Sequence, residues 1–288
     1  MGGTDPEEGP DMTDGRRDWA PASINVDQPS SARVWDYFLG GSHNFAVDRE
    51  VAEAAIAFKP DMPELARQVR MFLHRAVRTA AAAGVDQYLD IGAGVPTMGP
   101  VHEVARETRP GARVVYVDHD PVAVAHGVAM LAGDPDAAFV QADARSPRAI
   151  LDDPRVRALI DFDRPVAVLL CSLLHFVADA DDPAGIVATL RDALAPGSFL
   201  ILQHASHDGQ PRETIAMLEM WNAKSPEPMT WRTAGEIEAL LDGFTPLTPG
   251  VVPMPLWRPL PEEAERAAQH SDRYASYAAV AVKPGASG

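Results

Sequence analysis

Two glycines, Gly92 and Gly94, stand between a run with strand character at 86–91 and a helical pattern at 100–108. A strand that turns into a helix through Gly-x-Gly constrains the fold of this 288-residue chain more than any other feature. Glycine admits positive φ and leaves the backbone open to a ligand, and the helix start adds oriented N–H groups. The rhythm then continues. Strand patterns at 113–117, 137–141, 165–171 and 198–203 alternate with helical patterns at 121–131, 147–159 and 183–194. The unbroken run Val166-Ala-Val-Leu-Leu170 predicts a strand covered on both faces. Alternation at this spacing predicts a parallel α/β sheet.

The flanks read differently. Segment 23–83 is helical: Ser30 or Ser31 caps a helix through Trp35, Tyr37 and Phe38, and Gly40-Gly41 stops it. A second helix covers 48–58. Asp61-Met-Pro-Glu64 then has the form of a capping box. The helix it opens puts Leu65, Val69, Phe72, Leu73 and Val77 on one face and ends at Gly84. Beyond the alternating region, a helix at 212–222 reads as part of an insertion over about 208–230. Thr233-Ala-Gly-Glu236 is a second capping box. A Pro-interrupted edge strand follows at 244–252, then a long connection at 253–276 suited to capping a site, then a last strand at 277–282. Three parts are expected: a disordered acidic tail at 1–22, a helical extension or lid at 23–83, and a ligand-binding domain at 84–284.

Charge narrows the partners. With 25 Lys+Arg against 41 Asp+Glu, the net charge is −16, which disfavours nucleic acid and anionic membranes. A single cysteine, Cys171, excludes an intramolecular disulfide and a Cys-based zinc site, and no metal cluster stands out. Residues 1–22 carry acids and no apolar stretch, so no signal peptide is expected and the chain is placed in the cytoplasm.

The turn also says which nucleotide-like ligand fits. A dinucleotide fingerprint needs a third glycine where Thr97 stands, and a P-loop needs a lysine that is absent. What remains is Asp90-x-Gly92-x-Gly94. A carboxylate there repels phosphate and suits an α-ammonium. A nucleoside bearing an amino acid in place of phosphates is S-adenosylmethionine. Asp118, at the end of the second strand, is placed to accept both ribose hydroxyls, and Asp143, after the third, to accept from the adenine amine. Each has a plainer alternative. Asp118 or Asp120 can cap the next helix, and Asp143 can be a turn residue.

Residues Leu89-Asp-Ile-Gly-Ala-Gly-Val-Pro-Thr97, Val115-Tyr-Val-Asp-His-Asp-Pro121 and Ser31-Ala-Arg-Val-Trp-Asp-Tyr-Phe-Leu-Gly-Gly-Ser-His-Asn-Phe45 resemble the motifs of class I S-adenosylmethionine-dependent methyltransferases. The chain is most similar to the bacterial S-adenosyl methyltransferase family once listed as a domain of unknown function. The resemblance spans about residues 23–283. It implies a seven-stranded, mostly parallel Rossmann-like sheet with strand 7 inserted antiparallel between strands 5 and 6. The residues expected around the cofactor are Asp90, Gly92, Ala93, Gly94, Asp118, His119, Asp143, Ala144 and Ser172, with Tyr37 and Asn44 from the extension. Removing Asp118 is expected to weaken the cofactor and to leave the free chain's stability almost unchanged.

Methyl transfer from a sulfonium is an in-line displacement whose main demand is alignment. A base is needed only where the acceptor arrives protonated. His175, after the fourth strand, is either that base or a structural histidine at a strand end. Cys171 reads as a small buried residue, His204 and His207 as site lining or loop, and Met217, Met220 and Trp221 as packing of the inserted helix or an acceptor wall. The Pro-Pro-aromatic motif of base-modifying aminomethyltransferases is absent, which again disfavours a DNA or RNA substrate. The expected activity is methyl transfer to O or N of a small molecule. A non-catalytic binder of S-adenosylmethionine or S-adenosylhomocysteine and an NAD-dependent oxidoreductase are the alternatives. Oligomeric state is not legible.

Overall fold

The computed structural model describes residues 26–96, 98–223 and 227–285. The acidic segment 1–22 and Thr97 lie outside them, as do the side chains of Met217 and Trp221.

Helices α1 (Ser31–Phe38), α2 (Ala46–Phe58) and α3 (Met62–Ala82) come first. The strands are β1 (Gln87–Ile91), β2 (Arg113–Asp118), β3 (Ala137–Gln141), β4 (Ala167–Cys171), β5 (Phe199–Ala205), β6 (Thr245–Pro246), β7 (Val252–Pro253) and β8 (Ser276–Val282). Among them run α4 (Val101–Arg106), α5 (Pro121–Met130), α6 (Pro147–Asp152), α7 (Pro154–Leu159), α8 (Pro183–Ala193), α9 (Arg212–Asn222), α10 (Ala234–Ala239) and α11 (Ala264–His270).

The sheet runs β3-β2-β1-β4-β5-β8-β6, with β7 also on β8. Strands β1 to β5 are parallel, and β8 is antiparallel to β5, β6 and β7. This is the expected mixed sheet with its reversed strand beside β5. Strand order reverses between β1 and β4, so ligands belong at the carboxyl ends there.

Strand alternation sorts side chains into two cores. Leu89, Ile91, Val115, Val117, Val168 and Leu170 face α6, α7, α8 and α10. Tyr88, Tyr116 and Leu169 face α3, α4 and α5. Period two therefore puts Asp90 on the α3 side, paired in register with Tyr116 and Leu169. An acidic residue here interrupts the apolar run of Tyr88, Leu89 and Ile91.

Four local expectations change. Asp61 starts α3 without a side-chain bond: its backbone (φ −90°, ψ 9°) lies outside the extended region of a cap and its carboxylate faces Arg273 at 3.5 Å, while Glu64 turns its own carboxylate to Arg67 and Gln68 instead of back to Asp61. The single helix at 147–159 is two, α6 and α7. Pro154 cannot continue α6, and Asp153 caps the new start by accepting the Arg155 N–H. The edge strand at 244–252 is two short pieces, β6 and β7, because prolines remove ladder donors. The connection at 253–276 packs on α3: Trp257 is fully buried and stands edge-on to Phe72, ring centroids 5.5 Å apart. No described helix is long and apolar enough to cross a membrane.

Candidate functional site

The glycine turn lies on the carboxyl ends of β1 and β2. The N–H groups of Gly92 and Ala93 both donate to the Val117 carbonyl, at 2.8 and 3.1 Å. Gly92 (φ +74°) and Gly94 (φ +61°) adopt the left-handed region that glycine permits. A Cβ on Gly92 would lie 2.7 Å from Leu173 Cδ1, so the loop after β4 presses on the turn. A Cβ on Gly94 would find only Ala32 of α1, at 3.9 Å. The first helix therefore rests over the turn.

Asp118 closes the turn from β2. Its Oδ2 accepts the Gly94 N–H at 2.7 Å and its Oδ1 the Asp120 N–H at 2.9 Å. The helix cap is Asp120, which accepts the Val122 N–H at 2.7 Å. Burial raises the Asp118 pKa, and the two N–H bonds partly counter it. The carboxylate keeps further lone pairs for a ligand. Because it holds two backbone groups already, the expectation that its removal leaves the free chain unaffected does not stand.

Asp90 is 5% exposed and makes no hydrogen bond or ion pair with any described residue. Burial raises its pKa to about 7; the nearby Arg70 charge lowers it and that of Asp118 raises it. A buried carboxyl without a partner is uncommon and asks for one. An ammonium would satisfy it, so the residues present fit the amino-acid end of the expected cofactor.

His119 spans the opening. It lies 3.1 Å from Glu227 and 3.5 Å from Asp118. The Glu227 bond is the main cause that raises its pKa to about 9, so the imidazole is a cation at neutral pH. Burial works to raise the Glu227 carboxyl, but bonds from His119 and Ser31 outweigh it and its pKa falls. Glu227 also accepts the Ser31 N–H at the start of α1, at 3.1 Å. Ser30 Oγ donates to Asp120 rather than capping its own helix. Arg33 meets Asp48 at 2.8 Å and Asp120 at 3.7 Å, all three buried. A buried ionic network thus ties α1 and α2 to the end of β2. Sequence reasoning missed Glu227 and this network, because partners so far apart in the chain carry no local signal.

The other expected residues sit further out. Asp143 is half-buried and forks onto Arg145, also accepting its N–H at 2.9 Å, and the Arg145 bond is the main cause that lowers its pKa. Ala144 packs on the second core. Ser172 (φ +55°) donates to Gln203 Oε1 at 2.6 Å. Tyr37 donates to Glu53 of α2 at 3.2 Å. Asn44 is buried within its own loop: its amide donates to Asp36 and Gly41, and Arg49 donates to its carbonyl. Neither Tyr37 nor Asn44 has a hydrogen bond to the glycine turn among those of the described residues.

His175 lies in a 3-10 turn after β4, buried, with its pKa held well below the usual value by burial and by His204 and Arg232. Its Nδ1 faces the Ala205 N–H at 3.4 Å. His204 is fully buried between Arg232, 2.8 Å from its Nε2, and the Ala205 carbonyl, 2.6 Å from its Nδ1. Burial pushes its pKa down to about 4. His207 is on the surface. Burial raises the Cys171 thiol well above its ordinary value, so it is no thiolate nucleophile.

A family model described as S-adenosyl methyltransferase matches residues 17–284. A candidate methyltransferase from Thermobifida fusca is 39% identical, with a TM-score of 0.86, covering 93% of this chain and 100% of its own. A protein of the DUF574 family from Streptomyces avermitilis is 36% identical, with a TM-score of 0.84, covering 90% of this chain and 100% of its own. No curated protein matches the chain.

Proposed function

The chain belongs to the S-adenosyl methyltransferase family, and from that premise we propose that it transfers the methyl group of S-adenosylmethionine to an oxygen or nitrogen of a small molecule. The observation that carries the reading is Asp90, a buried, unpartnered carboxyl at the switch point of the sheet. Asp90 takes the α-ammonium of the cofactor. Asp118 accepts from the ribose with the lone pairs its backbone bonds leave free. Asp143, once turned from Arg145, accepts from the adenine amine. When bound, the cofactor supplies an electrophilic methyl group. The protein supplies alignment and a dry site, and α1 above the glycine turn excludes water.

No side chain is assigned as general base. With Nδ1 turned to the Ala205 N–H, the neutral His175 carries its proton on Nε2 and is a donor there. The role we give it is to join the loop after β4 to the end of β5. An acceptor that arrives unprotonated, or loses its proton to water, fits this site. The acidic charge supports an acceptor other than nucleic acid.

The test is incubation of the protein with S-adenosylmethionine and a fractionated metabolite extract. S-adenosylhomocysteine forming with one fraction supports the reading. Because no base is assigned among the described residues, one alternative stays open, a non-catalytic binder. Retained cofactor binding with no turnover on any fraction would establish it.

A further inference from the structure

Arg70 of α3 is partly buried and shares its helix face with the buried Ala66, Leu73 and Val77 at spacings of four, three and seven residues. The helix packs against β4 and β5. One turn further on, His74 lies 2.8 Å from the Gly99 carbonyl, which pins α3 to the loop after the glycine turn. Arg70 is therefore held beside the cofactor end of the sheet. Its charge acts on Asp90, Tyr116 and Cys171, which lie on adjacent strands and share one face.

The guanidinium makes no hydrogen bond and no ion pair among the described residues, although burial depresses its pKa. It does not close on Asp90 either: no contact within ion-pair distance joins them. Five N–H donors and a carboxyl thus lie close enough for each charge to act on the other, and neither group has a hydrogen-bond partner among the described residues. Two opposite charges that stay apart in a partly buried site are matched by a ligand carrying both signs on one carbon. An α-amino acid has that form: its ammonium suits Asp90, and its carboxylate suits the planar fork of Arg70.

We propose that Arg70 binds the α-carboxylate of the cofactor's amino-acid end while Asp90 takes the ammonium, so that the pair selects ligands bearing an intact α-amino acid. The inference rests on the proposed cofactor site and adds to it the residue that reads the carboxylate. It also predicts discrimination against NAD, which offers neither group.

The experiment is calorimetry on the full chain and on R70M and R70K with two probes. S-adenosylhomocysteine carries the amino acid; 5′-methylthioadenosine has the same nucleoside and lacks it. The expected result is tenfold or greater weakening of S-adenosylhomocysteine in R70M, with 5′-methylthioadenosine within twofold of the unaltered chain. R70K should recover part of the loss, since lysine restores charge without the fork. Equal losses for both probes would reduce Arg70 to a structural residue and overturn the inference, as would unchanged S-adenosylhomocysteine binding. If the unaltered chain bound neither probe, the cofactor site itself would be wrong, a result distinct from failure at Arg70.

Discussion

Asp118 holds Gly94 at 2.7 Å, oxygen to backbone nitrogen, and so fastens the end of β2 to the turn that follows β1. The same carboxylate accepts the Asp120 N–H at 2.9 Å, which orients the residue that caps α5. One side chain joins three elements before any ligand arrives.

Replacing Asp118 with alanine should therefore weaken the free protein as well as the cofactor complex. Two buried N–H groups lose an acceptor, each at about 1–3 kcal/mol, offset in part by the relief of a buried charge. We expect a net loss of roughly 1–3 kcal/mol in urea unfolding and at least tenfold weaker cofactor binding. Unchanged unfolding with weakened binding would confine Asp118 to the ligand.

The two glycines should differ. At Gly92, a Cβ would meet Leu173 Cδ1 at 2.7 Å in addition to the strain of positive φ. At Gly94 the nearest atom is 3.9 Å away, leaving mainly the backbone cost of about 1–2 kcal/mol. Gly92→Ala is expected to destabilise more than Gly94→Ala by thermal unfolding. The opposite order would mean that Leu173 moves aside freely.

Asp90 makes both binding and stability depend on pH, in opposite senses. Its carboxyl ionises near pH 4 when unfolded and at about 7 in the fold. Between these values the folded state holds the extra proton, so its contribution to stability falls as pH rises from about 4 to 7 and stays low above. Asp90→Asn removes that slope, and the unliganded variant should exceed the unaltered protein at pH 8 by on the order of 2–4 kcal/mol. The cofactor ammonium needs the ionised form, so affinity should climb from pH 6 to about 7 and then level. In Asp90→Asn it should be weaker and flat. A pH-independent affinity in the unaltered protein would show that Asp90 does not meet the ammonium.

The segment 31–48 is expected to act as a lid, read by exchange across Trp35 to Asp48. It is latched to the site by the Ser31–Glu227–His119 chain and by Arg33 between Asp48 and Asp120. Amide exchange there should slow when cofactor is added, and Glu227→Gln should raise exchange without ligand while the sheet stays protected. Identical exchange with and without saturating cofactor would leave α1 and α2 a packing role only.

The sheet was legible because period two and the glycine turns repeat locally. The ranges at 137–141 and 212–222 match β3 and α9 residue for residue. Helices α6 and α7 were merged because both continue the same apolar pattern across Pro154, whose break is a backbone effect. Asp90, Asp118 and the glycines were legible because each ends or follows a strand. Arg70 was not, since one of four arginines along α3 looks like part of a solvated edge until the helix is laid on β4 and β5. Glu227 was missed for a related reason: it reaches Ser31 across a separation of 196 residues. Tyr37 and Asn44 were drawn in by proximity in sequence to the Gly40-Gly41 turn, and the fold engages both within α1, α2 and their loop.

The most direct test of the account is calorimetry of the purified full chain with S-adenosylmethionine and with NAD at pH 8, where Asp90 is ionised in the fold. Saturable binding of S-adenosylmethionine and none of NAD at the same concentration is the expected result, because Asp90 suits an ammonium and repels a pyrophosphate. Tighter binding of NAD than of S-adenosylmethionine would contradict it.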